Sequence, residues 1–303
     1  MKTMIRNGIV VPMNRNMDVW PDGYVVFEGS KILEAGPVDG LEAAISRHGG
    51  EIGTGSDFRV IDARRAIVMP GMVNTHCHLG MIPFRGLGDD CKDRLRVFLL
   101  PMEEQAMDCE LAVASSRYAV AELLLGGVTT VLDMYYFEDQ VARGIRGIAG
   151  ETVMEEATCD AGSPQEAIAR GEAMIRAYRD HPRIKGCLAP HGTTTCSPDT
   201  LRRVHDVDRL YNVPFTLHVA EMDYEMIQLR DSFGLTPVEY LNELGVLDEN
   251  TVSAHSIRLT EEDIRILKET GASVAHSIAT NTKSAKGVAP VRAMHRAGGS
   301  VGL

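Results

Sequence analysis

Two histidines separated by a single residue, His76 and His78, lie in the stretch V-M-P-G-M-V-N-T-H-C-H-L-G-M-I-P-F-R-G over residues 68–86. Side chains alternate faces along a strand, so His-x-His sends both imidazoles to one side and Cys77 to the other. Two neutral imidazoles converging from one strand make half of a divalent-metal site. Alone, the pair is as easily chance. The remainder of the chain adds His191, His218, His255 and His276, each at or just past the end of a short apolar run, so six of the ten histidines share that placement. Asp133 and Glu221 close such runs too, whereas His48, His181, His205 and His295 fall where helices and loops are expected. Any one strand-end histidine is more often a satisfied core or surface residue than a ligand, but the joint pattern is hard to assign to chance. Three imidazoles and a carboxylate hold a divalent metal with one position left for water, whose pKa then falls from roughly 15.7 toward about 7. Glu221, three residues beyond His218, is suitably spaced to carry a proton between that water and a leaving group.

The elements that must position these residues are legible as an alternation. From Ala66 onward, short apolar runs over 67–73, 128–132, 152–154, 184–189, 215–219, 252–254, 273–275 and 300–303 alternate with longer amphipathic stretches. That is the pattern of βα units around a parallel sheet, and eight runs predict an α/β protein with a (β/α)8 TIM-type barrel. In such a barrel the chemistry sits at the C-terminal ends of the strands. Ser163-Pro164-Gln165-Glu166, Thr236-Pro237-Val238-Glu239 and Thr260-Glu261-Glu262-Asp263 predict helix starts of the capping-box type. Residues 1–66 read differently, as a small β portion. Runs at 8–11, 24–27, 31–33 and 59–61 predict strands, with turns at Pro21-Asp22-Gly23 and Glu28-Gly29-Ser30. One helix is expected over Leu41–His48 and a Gly-rich loop over 49–57, and no chemistry is visible there. The domain division expected is therefore 1–66 and 67–303.

With 303 residues, 44% of them hydrophobic, the chain is long enough for a sizeable core. A formal charge of -11 with no run of Lys or Arg argues against nucleic acid and against a membrane surface, leaving a small-molecule substrate. The six cysteines, at 77, 91, 109, 159, 187 and 196, form no C-x-x-C pair, and no leader-like or membrane-length apolar segment is present. Reduced thiols and a cytoplasmic protein are expected, with at most a homo-oligomer as its assembly.

Four segments carry a family resemblance: P-G-M-V-N-T-H-C-H at 70–78, L-H-V-A-E at 217–221, S-A-H-S at 253–256 and K-G-V-A-P-V-R-A-M-H-R-A-G at 286–298. In order and combination they resemble the amidohydrolase superfamily, in the branch of cytosine, guanine and methylthioadenosine/S-adenosylhomocysteine deaminases and triazine hydrolases. The resemblance implies a metal-dependent barrel beside a small β-sandwich. By motif, His76, His78 and His218 resemble the metal ligands, Glu221 the proton-shuttling acid, and His255 the residue that steadies the attacking hydroxide. His191 resembles a substrate contact, and the ending Asp133-Met134-Tyr135-Tyr136 resembles the second strand of the methylthioadenosine deaminase group. Binuclear members place a carboxylated Lys at the end of strand four. Here Lys185 begins that run, so one divalent ion is expected, zinc before iron. The unrelated H-x-E with P-C-x-x-C nucleobase deaminases are excluded.

Departures from the pattern set further expectations. The family's strand eight continues into G-T-D, whose Asp completes the metal site, while this sequence ends at Leu303. A C-terminally incomplete barrel is expected, lacking its closure, and residues 1–303 alone are expected to be inactive and only marginally stable. His276-Ser277-Ile278-Ala279-Thr280-Asn281 stands where relatives have H-N-P-x-S-N, and Arg94-Leu95 where they often have Trp-Leu. On the loop after run three, Glu155 and Glu156 stand where an Arg tends to pair with a substrate carboxylate. Of the two, Glu156 is taken as the substrate-facing residue, and the pair predicts a neutral or cationic amino-heterocycle over S-adenosylhomocysteine. The expected function is hydrolytic deamination of a purine, pterin or pyrimidine type heterocycle with release of ammonia. The alternatives are triazine-type dechlorination or cyclic amide hydrolysis on the same site, and a catalytically inactive barrel remnant.

Overall fold

The computed structural model describes residues 1–49 and 58–303, in two compact units, Met1–Gly71 and Met72–Leu303. Most of the predicted Gly-rich loop, residues 50–57, lies outside the described residues.

The first unit is a five-stranded sheet of β1 (Lys2–Val10), β2 (Trp20–Glu28), β3 (Lys31–Pro37), β4 (Phe58–Asp62) and β5 (Ile67–Val68), with α1 (Leu41–His48). The order is β3-β2-β1-β4, and β5 also pairs with β1. The hairpins β1–β2 and β2–β3 are antiparallel, while β4 and β5 run parallel to β1. Met4, Tyr24, Val26, Ala44 and Phe58 form its core. Glu34 ties α1 down by accepting hydrogen bonds from Tyr24 and Arg47 and contacting His48 Nε2 at 2.9 Å. The Arg47 guanidinium and the Tyr24 phenol, helped by the His48 hydrogen bond, outweigh burial and hold its carboxyl at about 2. Two expectations are corrected here. Pro21-Asp22-Gly23 is not a turn but the opening of β2. Gly23 pairs with Gly8 at an irregular register, and a Cβ on it would meet Val10 at 2.8 Å, so the glycine serves close packing and not a bend. The run over 67–73 is not one strand either. Ile67–Val68 belongs to the first sheet, Pro70-Gly71 interrupts, and the second unit's first strand begins at Met72.

The second unit alternates strand and helix. Its strands are β6 (Met72–Cys77), β7 (Val128–Tyr135), β8 (Gly147–Val153), β9 (Ile184–Pro190), β10 (Phe215–Val219), β11 (Thr251–His255), β12 (Ser273–Ala275) and β13 (Ser300–Gly302). Between β6 and β7 come a 3-10 segment (Leu79–Phe84), a π turn (Arg94–Leu99), α2 (Leu100–Ala106) and α3 (Cys109–Leu125). Further helices are α4 (Glu138–Val141), α5 (Pro164–Ala177), α6 (Pro198–Tyr211), α7 (Asp223–Phe233), α8 (Pro237–Leu244), α9 (Glu261–Thr270), α10 (Ile278–Lys283) and α11 (Val291–Ala297). β6–β9 and β10–β13 form two parallel ladders. They join where the His218 N–H donates to His191 O at 3.1 Å, and again where the Thr75 N–H donates to Leu303 O at 2.9 Å. The eight-stranded ring is therefore connected all the way round. The second junction is only a narrow seam, made by a three-residue strand and the single acceptor Leu303 O, in keeping with the C-terminally incomplete barrel expected.

β8 starts five residues earlier than its apolar run because Gly147 and Gly150 dilute the hydrophobic signal. Both glycines are required by the neighbouring strand: a Cβ at 147 would lie 1.9 Å from Val131 O, and one at 150 would lie 2.7 Å from Asp133 O. Leu201, Leu241 and Leu267 of the helices share one buried cluster with Leu188, Phe215 and Leu217 of the strands. Thr236 and Thr260 form full capping boxes. Ser163 caps Glu166 N–H, but Glu166 reaches back to Gly162 N–H, one residue before the predicted partner. Among the described residues, no helix is long and apolar enough to cross a membrane, and all six cysteines are free.

Candidate active site

The strand ends gather five of the six predicted histidines. His76 is the next-to-last residue of β6 with His78 just beyond, His218 lies on β10, His255 ends β11, and His191 follows β9. Ring centroids are 4.8 Å apart for His76–His78, 4.9 Å for His76–His218 and 5.3 Å for His76–His255. His191 stacks edge-on to His218 at 4.8 Å. His276 follows β12 as expected, yet among the described residues it makes no ring contact with the others, and its Nδ1 is buried without a partner.

The hydrogen bonds of the outer ring nitrogens fix the inner ones. His78 Nδ1 lies 2.5 Å from Met134 O and His218 Nδ1 lies 2.7 Å from His191 O. A carbonyl only accepts, so both Nδ1 atoms carry the proton and both Nε2 atoms present bare lone pairs. Those two Nε2 atoms face each other at 3.3 Å with no proton between them. Both nitrogens of His76 are buried with no hydrogen-bond partner. Burial, reinforced by neighbouring imidazoles, drives His76 and His218 well below the usual histidine range. Burial likewise lowers His78, and it takes His191 to about 4. Neutral rings, bare nitrogens facing one another and an orphaned imidazole fit a divalent cation and suit little else. The donor set is wider than the predicted His76, His78 and His218. His76, His218 and His255 each bring one nitrogen within 4.8 Å of the others, so His255 stands among the candidate ligands as well as beside Glu221.

Glu221, 12% exposed, follows β10, with Oε1 3.5 Å from His255 Nε2. Burial alone would raise its carboxyl, but His255 and Lys286 outweigh burial and lower it. Lys286 donates to Glu221 Oε1. Backbone strain sits on both sides of the pair: Ala220, beside Glu221 after β10, has φ 50°, and His255 and Ser256 at the end of β11 have φ 68° and 47°. Glu225 braces it by accepting from the Ala220 N–H at 3.1 Å, the Glu221 N–H at 2.9 Å and the Thr193 hydroxyl at 2.6 Å.

The remaining sequence readings fall in varied places. His191 contacts Thr195 Oγ1 through Nδ1 at 2.9 Å. Glu156 is exposed at the end of β8, and among the described residues it has no hydrogen bond or ion pair. Glu155 is not aimed at a substrate: it accepts from the Ser197 N–H at 2.8 Å and from the Thr200 hydroxyl, capping α6. The predicted acidic wall therefore loses one of its two charges to a helix terminus. Lys185 is exposed at the start of β9, away from the histidines. Arg94 binds Leu87 O and Phe84 O, so the residue noted as a departure from the Trp-Leu pattern holds its own loop. Sequence reading missed Lys286, Asn281 and Glu225. Asn281 Oδ1 lies 2.7 Å from His255 Nδ1, and its position six residues after run seven was the available signal.

A parallel eight-stranded barrel with neutral imidazoles converging at the C-terminal strand ends defines a metal-dependent hydrolase scaffold. The model of the amidohydrolase family matches residues 67–303. A 5-methylthioadenosine/S-adenosylhomocysteine deaminase of Symbiobacterium thermophilum is 34% identical, over 100% of this chain and 68% of the relative. A 5'-deoxyadenosine deaminase of Methanothrix thermoacetophila is 34% identical, over 99% of this chain and 67% of the relative. The crystal structure of an adenosine deaminase from Xanthomonas campestris with bound zinc aligns with a TM-score of 0.86 at 28% identity, over 99% of this chain and 68% of that one. The chain belongs to the amidohydrolase family.

Proposed function

We propose that the protein hydrolyses the exocyclic amine of an adenine-type nucleoside, releasing ammonia, with one zinc ion per chain held by His76, His78 and His218 in the barrel unit, Met72–Leu303. The observation that carries the reading is the pair of bare Nε2 atoms of His78 and His218, 3.3 Å apart beside the unpartnered His76. A divalent metal bound there supplies the Lewis acidity that makes water nucleophilic near neutral pH. The chain's own groups do the rest. Glu221 Oε1 takes a proton as water adds to the ring carbon and delivers it to the adjacent ring nitrogen; it then carries the proton of the new hydroxyl to the exocyclic amine, and the C–N bond breaks as the C=O forms, releasing ammonia. His255 Nε2, with its Nδ1 fixed by Asn281, accepts from the attacking oxygen. Lys286 keeps Glu221 ionised until substrate arrives, and His191 faces the bound heterocycle.

The nucleoside choice is supported by the names of the relatives at 34% identity. With Glu155 committed to α6, the case against a substrate carboxylate rests on Glu156 alone and is dropped. The free cysteines suit a cytoplasmic enzyme. The test is ammonia release by the purified, zinc-loaded protein across 5'-modified adenosines, aminopterins, aminopyrimidines and chlorotriazines. Release from the adenosines above all others supports the reading. Chloride release from triazines, or no turnover of any member at one zinc per chain, overturns it.

A further inference from the structure

We propose that Asp133, on the strand beside the His-x-His segment, is a positioning residue that presents His76 and His78 to the metal. This rests on the metal reading above and concerns how the ligands are aimed. The ladder between β6 and β7 is regular only in part. Asn74 pairs with Val131 and the next partners are Cys77 and Asp133, so β6 uses three steps where β7 uses two. The extra residue makes a bulge that contains His76. A bulge re-aims a side chain but interrupts the backbone hydrogen bonds that would hold the strand beyond it. Asp133 takes over: its Oδ1 accepts from the Leu79 N–H at 2.8 Å, directly after His78, and from the Cys77 thiol at 3.7 Å. The following residue supplies Met134 O to His78 Nδ1. One two-residue segment of β7 therefore grips the metal-bearing strand on both sides of His78.

The placement is costly. Asp133 is fully buried, its Oδ2 has no hydrogen-bond partner, and the nearby Glu138 is buried with both oxygens unpartnered. Burial raises both acids, and each also feels the other. A carboxyl so poorly solvated is a weak means of stabilising a fold, since an apolar side chain would avoid the desolvation. Its contacts instead converge on the one segment that must hold two imidazoles in fixed directions. Support of this kind behind metal ligands is worth ten- to a hundredfold in metal affinity.

The experiment compares zinc dissociation constants by chelator competition for the wild type, D133N, D133A and D133V, with melting midpoints of the metal-free and zinc-bound forms. D133N keeps an acceptor for the Leu79 N–H and should bind zinc within about threefold of the wild type, while D133A and D133V should bind ten- to a hundredfold more weakly. Either apolar variant that folds suffices, and both relieve the crowding with Glu138. Equal zinc affinity in D133A or D133V and the wild type, with a uniform fall in both melting midpoints, would mean Asp133 is structural and overturn the proposal. Failure of D133N to recover the affinity would overturn it as well. Absence of zinc binding in the wild type would sink the metal reading itself, and the proposal with it.

Discussion

At the scale of single residues, His76 and Glu221 divide the work in separable ways. An imidazole with both nitrogens buried and unpaired has a high cost unless something binds it. H76A should therefore drop zinc content well below one ion per chain by elemental analysis, while E221Q should retain zinc and lose about 10²–10⁴ in kcat. Full zinc occupancy in H76A would contradict the ligand assignment. A second residue sets a pH dependence. Glu103, buried on α2, accepts from the Tyr135 hydroxyl at 2.7 Å, and burial raises it from 4.5 to about 7. The folded state thus holds this proton more tightly than the unfolded chain does. Its contribution is fully present below pH 4.5 and is lost as pH rises through about 7, a change of about 3 kcal/mol. E103Q, which cannot ionise, should flatten the fall in unfolding free energy between pH 5 and pH 8. An E103Q profile parallel to the wild type would refute the assignment.

Among the elements, the helix starts offer the cleanest measurement. Thr260 and Thr236 both cap their helices, but Thr236 also donates to Asp263, itself the acid of the next helix's capping box. T260A should cost about 1 kcal/mol in urea unfolding and T236A more, up to about 3 kcal/mol, because it also strips a buried acceptor of its donor. Equal losses would show the Thr236–Asp263 contact to be idle. The elements also show how far the sequence could be read. Helix starts, caps and the strands β7 and β9–β13 follow from local pattern, as do the five histidines that meet, since a strand-end His declares itself by following an apolar run. β8 hid its first half because its glycines answer to Val131 and Asp133 on another strand, a constraint invisible in local pattern. Lys286 and Glu225 hid for the same reason: each acts on a loop that precedes it in the chain, and charge alone on a loop or helix carries no address.

For the second unit as a whole, stability is unevenly distributed around the ring. β7, β8 and β9 pair over long registers, whereas β12 and β13 pair over three residues each and β13 meets β6 at Leu303 O, which accepts from both the Thr75 N–H and the Thr75 hydroxyl. Amide hydrogen exchange should accordingly be fastest among strand amides at Thr75 and Val301 and slowest along β8. Protection at the seam equal to that of β8 would show that the short strand is held by more than its ladder. The proposed ligands His76 and His78 lie one and three residues beyond Thr75. Metal binding should therefore slow exchange at Thr75 more than at β8.

Glu225 carries a consequence for genetics. Its carboxylate holds the backbone of Ala220 and Glu221 yet stands outside the histidine cluster. A mutational screen scored by growth on a deaminated product would map position 225 as though it were part of the catalytic apparatus. Only the persistence of zinc and of substrate affinity in such alleles would reveal that the lesion lies in the mounting and not in the tool.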